Sequence, residues 1–273
     1  MITSCGLTFT NAPQVRTEIQ KRTSKCENNL AGLGATRETI TDTRLYLLEL
    51  GARFQELASA AIKSEYGDDA FDKSPLLKLA TSVARRNNTF KDDFRNFGHS
   101  YDFELGGAGS IPGSGTRKPE KPTLHPVRCG PKQTHLKFEN LFDALVEKVA
   151  GPEKGAILDW LGQLWVESRG FELCTFPASL LPNCMKKQCV NWEPLTLGYV
   201  YDVIGLVHTF IIELLKHICK DESVRRELQE VLSAQLLEGY RKAIKHARFQ
   251  LEVESTNVPN TLNDSFSKDL YEV

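Results

Sequence analysis

Three cysteines, Cys174, Cys184 and Cys189, come closest to a metal-binding pattern in this sequence. Structural zinc sites use close pairs such as C-x-x-C or add nearby histidines, and neither accompanies these cysteines. His208 and His217 lie nine residues apart on one predicted helix, so their side chains point in different directions and a third element would have to join them. We therefore predict free thiols, ordinary packed histidines and no metal site.

Nucleotide or acyl chemistry would need a phosphate-binding loop or a positioned nucleophile. The glycines from Gly106 to Gly115, followed by Arg117 and Lys118, have the composition of a phosphate loop. They lack the G-x-x-x-x-G-K-[ST] spacing, and the pattern shows no strand before them and no helix after them. No serine or cysteine occupies a G-x-S-x-G elbow. The sequence therefore predicts no catalytic residue and no cofactor, and a flexible linker at these glycines.

A basic run of Arg241, Lys242, Lys245 and Arg248 falls late in a long helical pattern. Positive charge is favourable near a helix C-terminus, which is the simpler interpretation. The alternative is contact with anionic lipid or with an acidic partner. Phe249 and Leu251 follow directly, and the pattern leaves open whether they are core residues or part of a contact surface.

Composition limits the classes of partner. The chain has 273 residues with 34 basic and 35 acidic side chains, so a net charge of −1 gives no global attraction to nucleic acid or to anionic membranes. Seven cysteines at irregular spacings favour a reducing compartment. The pattern shows no run of eighteen apolar residues and no signal peptide at the N-terminus. We expect a cytoplasmic protein, with peripheral membrane contact left open and no nucleic-acid partner.

Two long amphipathic segments, Leu195 to Cys219 and Ser223 to Glu254, dominate the pattern. Both have apolar residues at the three-and-four spacing of a helix face. Asp221 is the predicted N-cap of the second helix, and Glu222 suits its first turn. Because the link between the helices is so short, we predict an antiparallel helical hairpin. At about 1.5 Å per residue the second helix would be near 45–50 Å long, which favours an elongated rod.

The rest of the chain predicts further helices and no strand. Helical patterns start at Pro13, run over about Thr41–Ser64 with Leu45, Leu48 and Leu57 in the buried stripe, and run from Leu76 to Phe97. Seven of the nineteen glycines lie between residues 98 and 131, which indicates a loop. Helix resumes at His135, and we expect Pro194 to kink the entry to the hairpin. The predicted organisation is an irregular 1–11, helices over 12–97, a flexible loop over 98–134, helices over 135–254 and an irregular tail over 255–273.

Four motifs, in order, resemble the stalk (middle domain) of dynamin-superfamily large GTPases, especially the Mx-type and fungal dynamin-like proteins. The first runs from Pro13 through Gly34. The second is Arg44-Leu45-Tyr46-Leu47-Leu48 followed by Phe54-Gln55-Glu56-Leu57 and Tyr66. The third is Ser168-Arg169-Gly170-Phe171-Glu172-Leu173, similar to an "RGxEL" turn, and the fourth is Phe249-Gln250-Leu251-Glu252. The Pro-Gly that often follows "RGxEL" is absent at Cys174-Thr175-Phe176.

This resemblance implies an all-α, elongated antiparallel bundle that self-associates on membranes or other targets, without catalysis of its own. It places Arg169, Gly170 and Glu172 in a loop between stalks, and Phe249 and Leu251 in a symmetric stalk surface. The expected partners are further copies of the chain and a full-length dynamin-like GTPase.

The family's GTP-binding motifs and its returning effector helix do not occur in this sequence. An incomplete bundle should leave an apolar groove uncovered, so we expect self-association or poor solubility. Two alternatives remain: a truncated dynamin-family GTPase, and a generic helical scaffold that binds acidic partners through the basic run.

Overall fold

The structure is a computed structural model that describes residues 12–33, 39–101, 123–128, 146–153, 157–169 and 180–256. The predictions for residues 1–11, for most of the 98–134 loop including its glycine run, and for the tail beyond Thr256 concern residues outside the described ones. Among the described residues 83% are helical, so the prediction of a mostly helical chain is confirmed. The elongated rod and the dynamin-type stalk stay predictions.

The described residues form eight α-helices. Their bounds are α1 Ala12–Leu33, α2 Ile40–Lys63, α3 Asp69–Lys73, α4 Leu79–Phe97, α5 Ile157–Ser168, α6 Leu180–Gln188, α7 Trp192–Ile218 and α8 Glu222–Thr256, with 3-10 turns at Pro75–Leu77 and Cys189–Asn191. Pro194 falls in the first turn of α7, where a missing N–H costs no helical hydrogen bond. Because α8 ends at Thr256, the predicted irregular tail cannot begin at residue 255.

Two short strands contradict the prediction of no strand. Strand β1, Leu124–Pro126, pairs antiparallel with β2, Lys148–Ala150, and His125 lies opposite Val149. Strand β1 falls within the predicted loop, and β2 falls where a helix was predicted to resume. Gly151 and Pro152 follow β2 directly, and β-branched Val149 suits a strand better than a helix. Strands of three residues are too short to show an alternating pattern, which is why the sequence missed them.

Clustering of contacts divides the chain into two compact units. Unit 1 consists of Met1–Leu77 and Ile211–Ser233, and unit 2 of Lys78–Phe210 and Ala234–Val273. Helices α7 and α8 therefore contribute residues to both. Unit 1 buries Leu50 and Leu57 of α2, Phe71 of α3, and Leu214 of α7.

Local side-chain bonds fix the helix starts in unit 1. Thr39 and Asp42 form a reciprocal capping box at the start of α2, with both hydrogen bonds 3.1 Å long. Asp221 accepts from the N–H groups of Ser223 and Val224 at 3.0 and 3.3 Å. The predicted N-cap of α8 is thus confirmed, and each cap satisfies N–H groups that have no partner within the helix.

Unit 2 contains three apolar clusters. In the first, Leu197, Tyr201 and Ile204 near the start of α7 pack with Tyr240 and Ile244 in the second half of α8, as the predicted antiparallel hairpin requires. The second joins the β-hairpin to α4 and α7 through Val127, Val149, Leu195 and the phenylalanines of α4. The third contains Trp160, Leu164 and Leu180 of α5 and α6.

One described run of helical residues, Pro182–Ile218, is long and apolar enough to cross a membrane by length and composition. In its most apolar window 44% of the residues are buried inside the protein, and the core helix of a soluble protein meets the same criterion. Cytoplasmic localisation therefore stays a prediction.

Tyr240 should titrate later than an ordinary tyrosine. Its ring is 7% exposed in the α7–α8 cluster, its hydroxyl lies 3.4 Å from His208 Nδ1, and burial raises its pKa from 10.0 to about 12. Because the folded pKa lies above the unfolded one, the stabilisation is complete below pH 10 and is lost as the pH rises towards 12. Ultraviolet absorbance follows the ionisation of the tyrosines as the pH rises. The Tyr240→Phe variant should lack one phenolate signal that appears at the highest pH in the wild-type chain. An unchanged titration curve would contradict this assignment.

Candidate functional site

A cluster of buried charges lies between α4, α7 and the β-hairpin of unit 2, and the sequence analysis did not find it. Arg86 and Asp93 of α4 and Asp202 of α7 are 6%, 8% and 3% exposed. Arg86 and Asp93 are seven residues apart, about two turns, which puts them on one face of α4. We call these three residues, together with His125 and Arg128, the buried ion cluster.

Asp202 is the centre of this cluster. Its carboxylate accepts a hydrogen bond from Arg86 Nε at 2.9 Å and another from Arg128 Nε at 3.4 Å. The Arg128 guanidinium also lies over the ring of Tyr201, with its central carbon 3.8 Å from the ring centroid. Burial raises the pKa of Tyr201, and the Arg128 charge partly offsets that rise. Asp202 thus binds two guanidinium groups on one carboxylate.

Asp93 extends the cluster to the β-hairpin. One carboxylate oxygen lies 3.6 Å from Arg86 NH1, and the other lies 3.0 Å from His125 Nε2. The His125 ring stacks on Phe97 with centroids 4.0 Å apart. Arg86 NH1 is buried, and among the described residues it has no hydrogen-bond partner, so it depends on the nearby carboxylates for electrostatic compensation. The cluster therefore places two arginines and two aspartates beside His125.

Contacts beside the buried ion cluster also hold strands β1 and β2 against α4 and α7. Asn191 donates to the carbonyl oxygens of Phe97 and Ala150 at 2.9 and 3.0 Å. At Gly198 of α7 an added Cβ would overlap Val127, so only glycine allows this close approach. The Asp93–His125 pair resembles half of a catalytic triad, but no hydroxyl or thiol in the described part of the chain is hydrogen-bonded to His125. The hydrogen bonds of the cluster join His125 of β1 to α4 and Arg128 to α7.

Unit 1 contains an open polar hollow of about 370 Å³ beside the start of α3. Asp68 caps α3 through Ala70 N–H at 2.9 Å and pairs with Arg53, which also binds Glu56 at 2.8 Å. The Ala70 N–H and then the Arg53 guanidinium lower the pKa of Asp68. The polar groups at this hollow therefore already bind one another. Within the described segments, no group of three His, Cys, Asp or Glu side chains could hold a metal ion.

The predicted contact residues are partly on the surface. Arg169 is exposed just after α5, and Phe249 is 60% exposed, while Leu251 is half-buried. Gly170 and Glu172 lie outside the described residues. Arg241, Lys242 and Lys245 are exposed, whereas Arg248 is half-buried, so the four basic residues do not form one solvated surface.

The chain matches no protein-family model, no curated protein and no solved structure. The resemblance to dynamin-type stalks therefore stays a prediction that depends on the quoted motifs.

The largest departure from the sequence analysis is an exposed apolar surface on the first two helices. On α1, Val15, Ile19 and Leu30 are 54%, 58% and 66% exposed. On α2, Leu45 and Leu48 were predicted to be buried and are 58% and 70% exposed. Leu57 is buried as predicted. We call the exposed apolar residues of these helices the outer surface; its members are Val15, Ile19, Leu30, Ile40, Leu45, Leu47, Leu48 and Ile62.

Proposed function

We propose that the chain is a non-catalytic assembly module that self-associates through the outer surface of unit 1. The observation that carries this proposal is the exposure of large aliphatic side chains on α1, at Val15, Ile19 and Leu30, and on the first half of α2, at Ile40, Leu45, Leu47 and Leu48. Isolated exposed apolar residues are ordinary, but a contiguous apolar surface is typical of a protein contact. Leu45 and Leu48 are three residues apart and lie on one helix face.

The resemblance gives this module a more specific form, the stalk of a dynamin-like GTPase. Three observations support it: the part of the second motif from Arg44 to Leu57 lies on α2, Ser168 ends α5 and Arg169 follows it, and the start of α7 packs against the second half of α8. The exposed ring of Phe249 also suits a residue of a contact surface. In this form, assembly of the chain would accompany GTP hydrolysis by a partner.

Sizing of the full chain tests the proposal. Light scattering coupled to size exclusion should show oligomers at micromolar concentration, and Leu45→Asp/Leu48→Asp should shift the chain to monomers. Burial of a new carboxylate opposes association, because the charge loses its water. Val231→Asp is the matched control, since Val231 is an exposed aliphatic residue on α8, 68% exposed and outside the outer surface. A wild-type chain that is monomeric throughout would exclude self-association.

A second candidate function is binding of an acidic partner through α8. Arg241, Lys242 and Lys245 are exposed, and Phe249 lies seven residues after Lys242, on the same helix face. Lys242 forms an ion pair with Glu238 at 3.3 Å, and both side chains are exposed. If this function is correct, Lys242→Glu/Lys245→Glu abolishes capture of the acidic partner and leaves the oligomer size unchanged. A titration with GTP beside these runs completes the test of the assembly module, which should form oligomers and bind no GTP.

A further inference from the structure

Helix α2 has two apolar faces on opposite sides. The inner face contains Leu50, Leu57 and Ala61, which are 9%, 1% and 0% exposed. The outer face contains Leu48, about half a turn away from Leu57 in projection down the helix axis, and Leu45, about a third of a turn away. One face therefore packs in unit 1, while the other faces solvent.

The outer face has the spacing of a coiled-coil seam. Its residues alternate by four and three positions: Thr41, Leu45, Leu48, Ala52, Gln55, Ser59 and Ile62. All are exposed except Ser59, which is half-buried, and Ile62 at the far end is 67% exposed. Two helices that share a seven-residue repeat pack along it by knobs into holes. At about 1.5 Å per residue the seam is roughly 30 Å long.

Charges beside the seam select the partner and its direction. Arg44 and Glu49 flank Leu45 and Leu48 on opposite sides, both are exposed, and neither forms an ion pair with any other described residue. In a parallel pair of identical helices, Arg44 of each copy comes close to Glu49 of the other, which gives two attractive pairs. In an antiparallel pair with Leu45 over Leu48, Glu49 instead approaches Asp42 of the second copy, and like charges meet.

We propose that α2 pairs in parallel with α2 of a second copy of this chain, along the seam from Thr41 to Ile62. This inference rests on the proposed self-association and names the contact that produces it. The contact is isologous, because the same residues serve on both sides of a two-fold axis. Polar residues at Thr41, Gln55 and Ser59 weaken the seam, so the pairing is reversible at micromolar concentration.

Charge reversal in the full chain tests the pairing. Arg44→Glu and Glu49→Arg should each raise the dimer dissociation constant by about tenfold, measured by analytical ultracentrifugation, because each places two like-charge pairs beside the seam. The double variant Arg44→Glu/Glu49→Arg restores both attractive pairs and should return the constant to within about threefold of wild type. Glu230→Arg, an exposed reversal on α8, is the control. Tighter association of Glu49→Arg, or failure of the double variant to recover, would overturn parallel pairing.

Cross-linking distinguishes this inference from the proposed function. Leu48→Cys places a thiol on the seam of each copy, and mild oxidation should join the two introduced thiols in a disulfide between copies, identified by peptide mass. Wild type oxidised in parallel shows the background of the native cysteines. If wild type is monomeric, both proposals fail. If it associates, but without this disulfide and without sensitivity to Arg44 and Glu49, only parallel pairing of α2 fails, and α1 or Phe249 becomes the contact.

Discussion

Replacing Asp202 with alanine should lower the free energy of unfolding by about 3–5 kcal/mol, because one partner of a buried ion pair is removed while the other stays buried. Asp202 is 3% exposed, and its carboxylate accepts from Arg86 Nε at 2.9 Å and from Arg128 Nε at 3.4 Å. Among the carboxylates of the described residues, the Arg86 guanidinium would keep Asp93, 3.6 Å away, and it would stay over the ring of Tyr199. Urea unfolding followed by circular dichroism measures the change.

Two companion variants decide whether charge or volume causes this loss. Asp92→Ala removes an exposed carboxylate next to Asp93 and should change stability by less than about 0.5 kcal/mol. Arg86→Met/Asp202→Leu removes the buried Arg86–Asp202 pair together and leaves Asp93 with His125, so it should recover part of the loss, since apolar residues of similar size often replace buried ion pairs without penalty. A double variant as unstable as Asp202→Ala would show that the lost charge balance is not the cause.

The buried ion cluster also shows why sequence patterns locate helices better than they identify buried residues. The apolar residues of α4 at helical spacing are Leu79, Val83, Phe90, Phe94 and Phe97, and all five are only half-buried. Arg86 and Asp93, three residues after Val83 and Phe90, continue that stripe and are the buried residues of the helix. Charged side chains on helices are usually solvated. The partners of Arg86 and Asp93 lie on α7 and β1, so the sequence of α4 alone does not predict that these two residues are buried.

Helix α2 shows a second limit of the same kind. Its periodicity correctly predicted a helix, but a helix with two apolar faces offers two candidate core faces. The prediction combined Leu45 and Leu48 of the outer face with Leu57 of the inner face. The seven-residue spacing of the outer face was readable in the sequence. Which face packs depends on contacts from distant residues, which periodicity does not contain.

Helix α5 contains two tryptophans that differ in burial, so the effect of burial on stability can be compared for one residue type. Trp160 and Trp165 both lie on this helix. Trp160 is 7% exposed and stacks on Tyr101 with ring centroids 4.4 Å apart, whereas Trp165 is 37% exposed. Trp160 also packs with Leu164 and Leu180, which joins α5 to α6.

Trp160→Ala should therefore destabilise unit 2 by about 3–5 kcal/mol, the usual result of emptying a buried aromatic site. Trp165→Ala, on the same helix, should cost about 1 kcal/mol or less, because its ring already contacts water. Hydrogen exchange adds a local measurement: amides of α5 and α6 should lose protection in Trp160→Ala and keep it in Trp165→Ala, since the apolar contacts that join the two helices are lost only in the first. Equal losses in the two variants would mean that the Trp160 cluster does not hold α5 against α6, and that the helix depends on both rings alike.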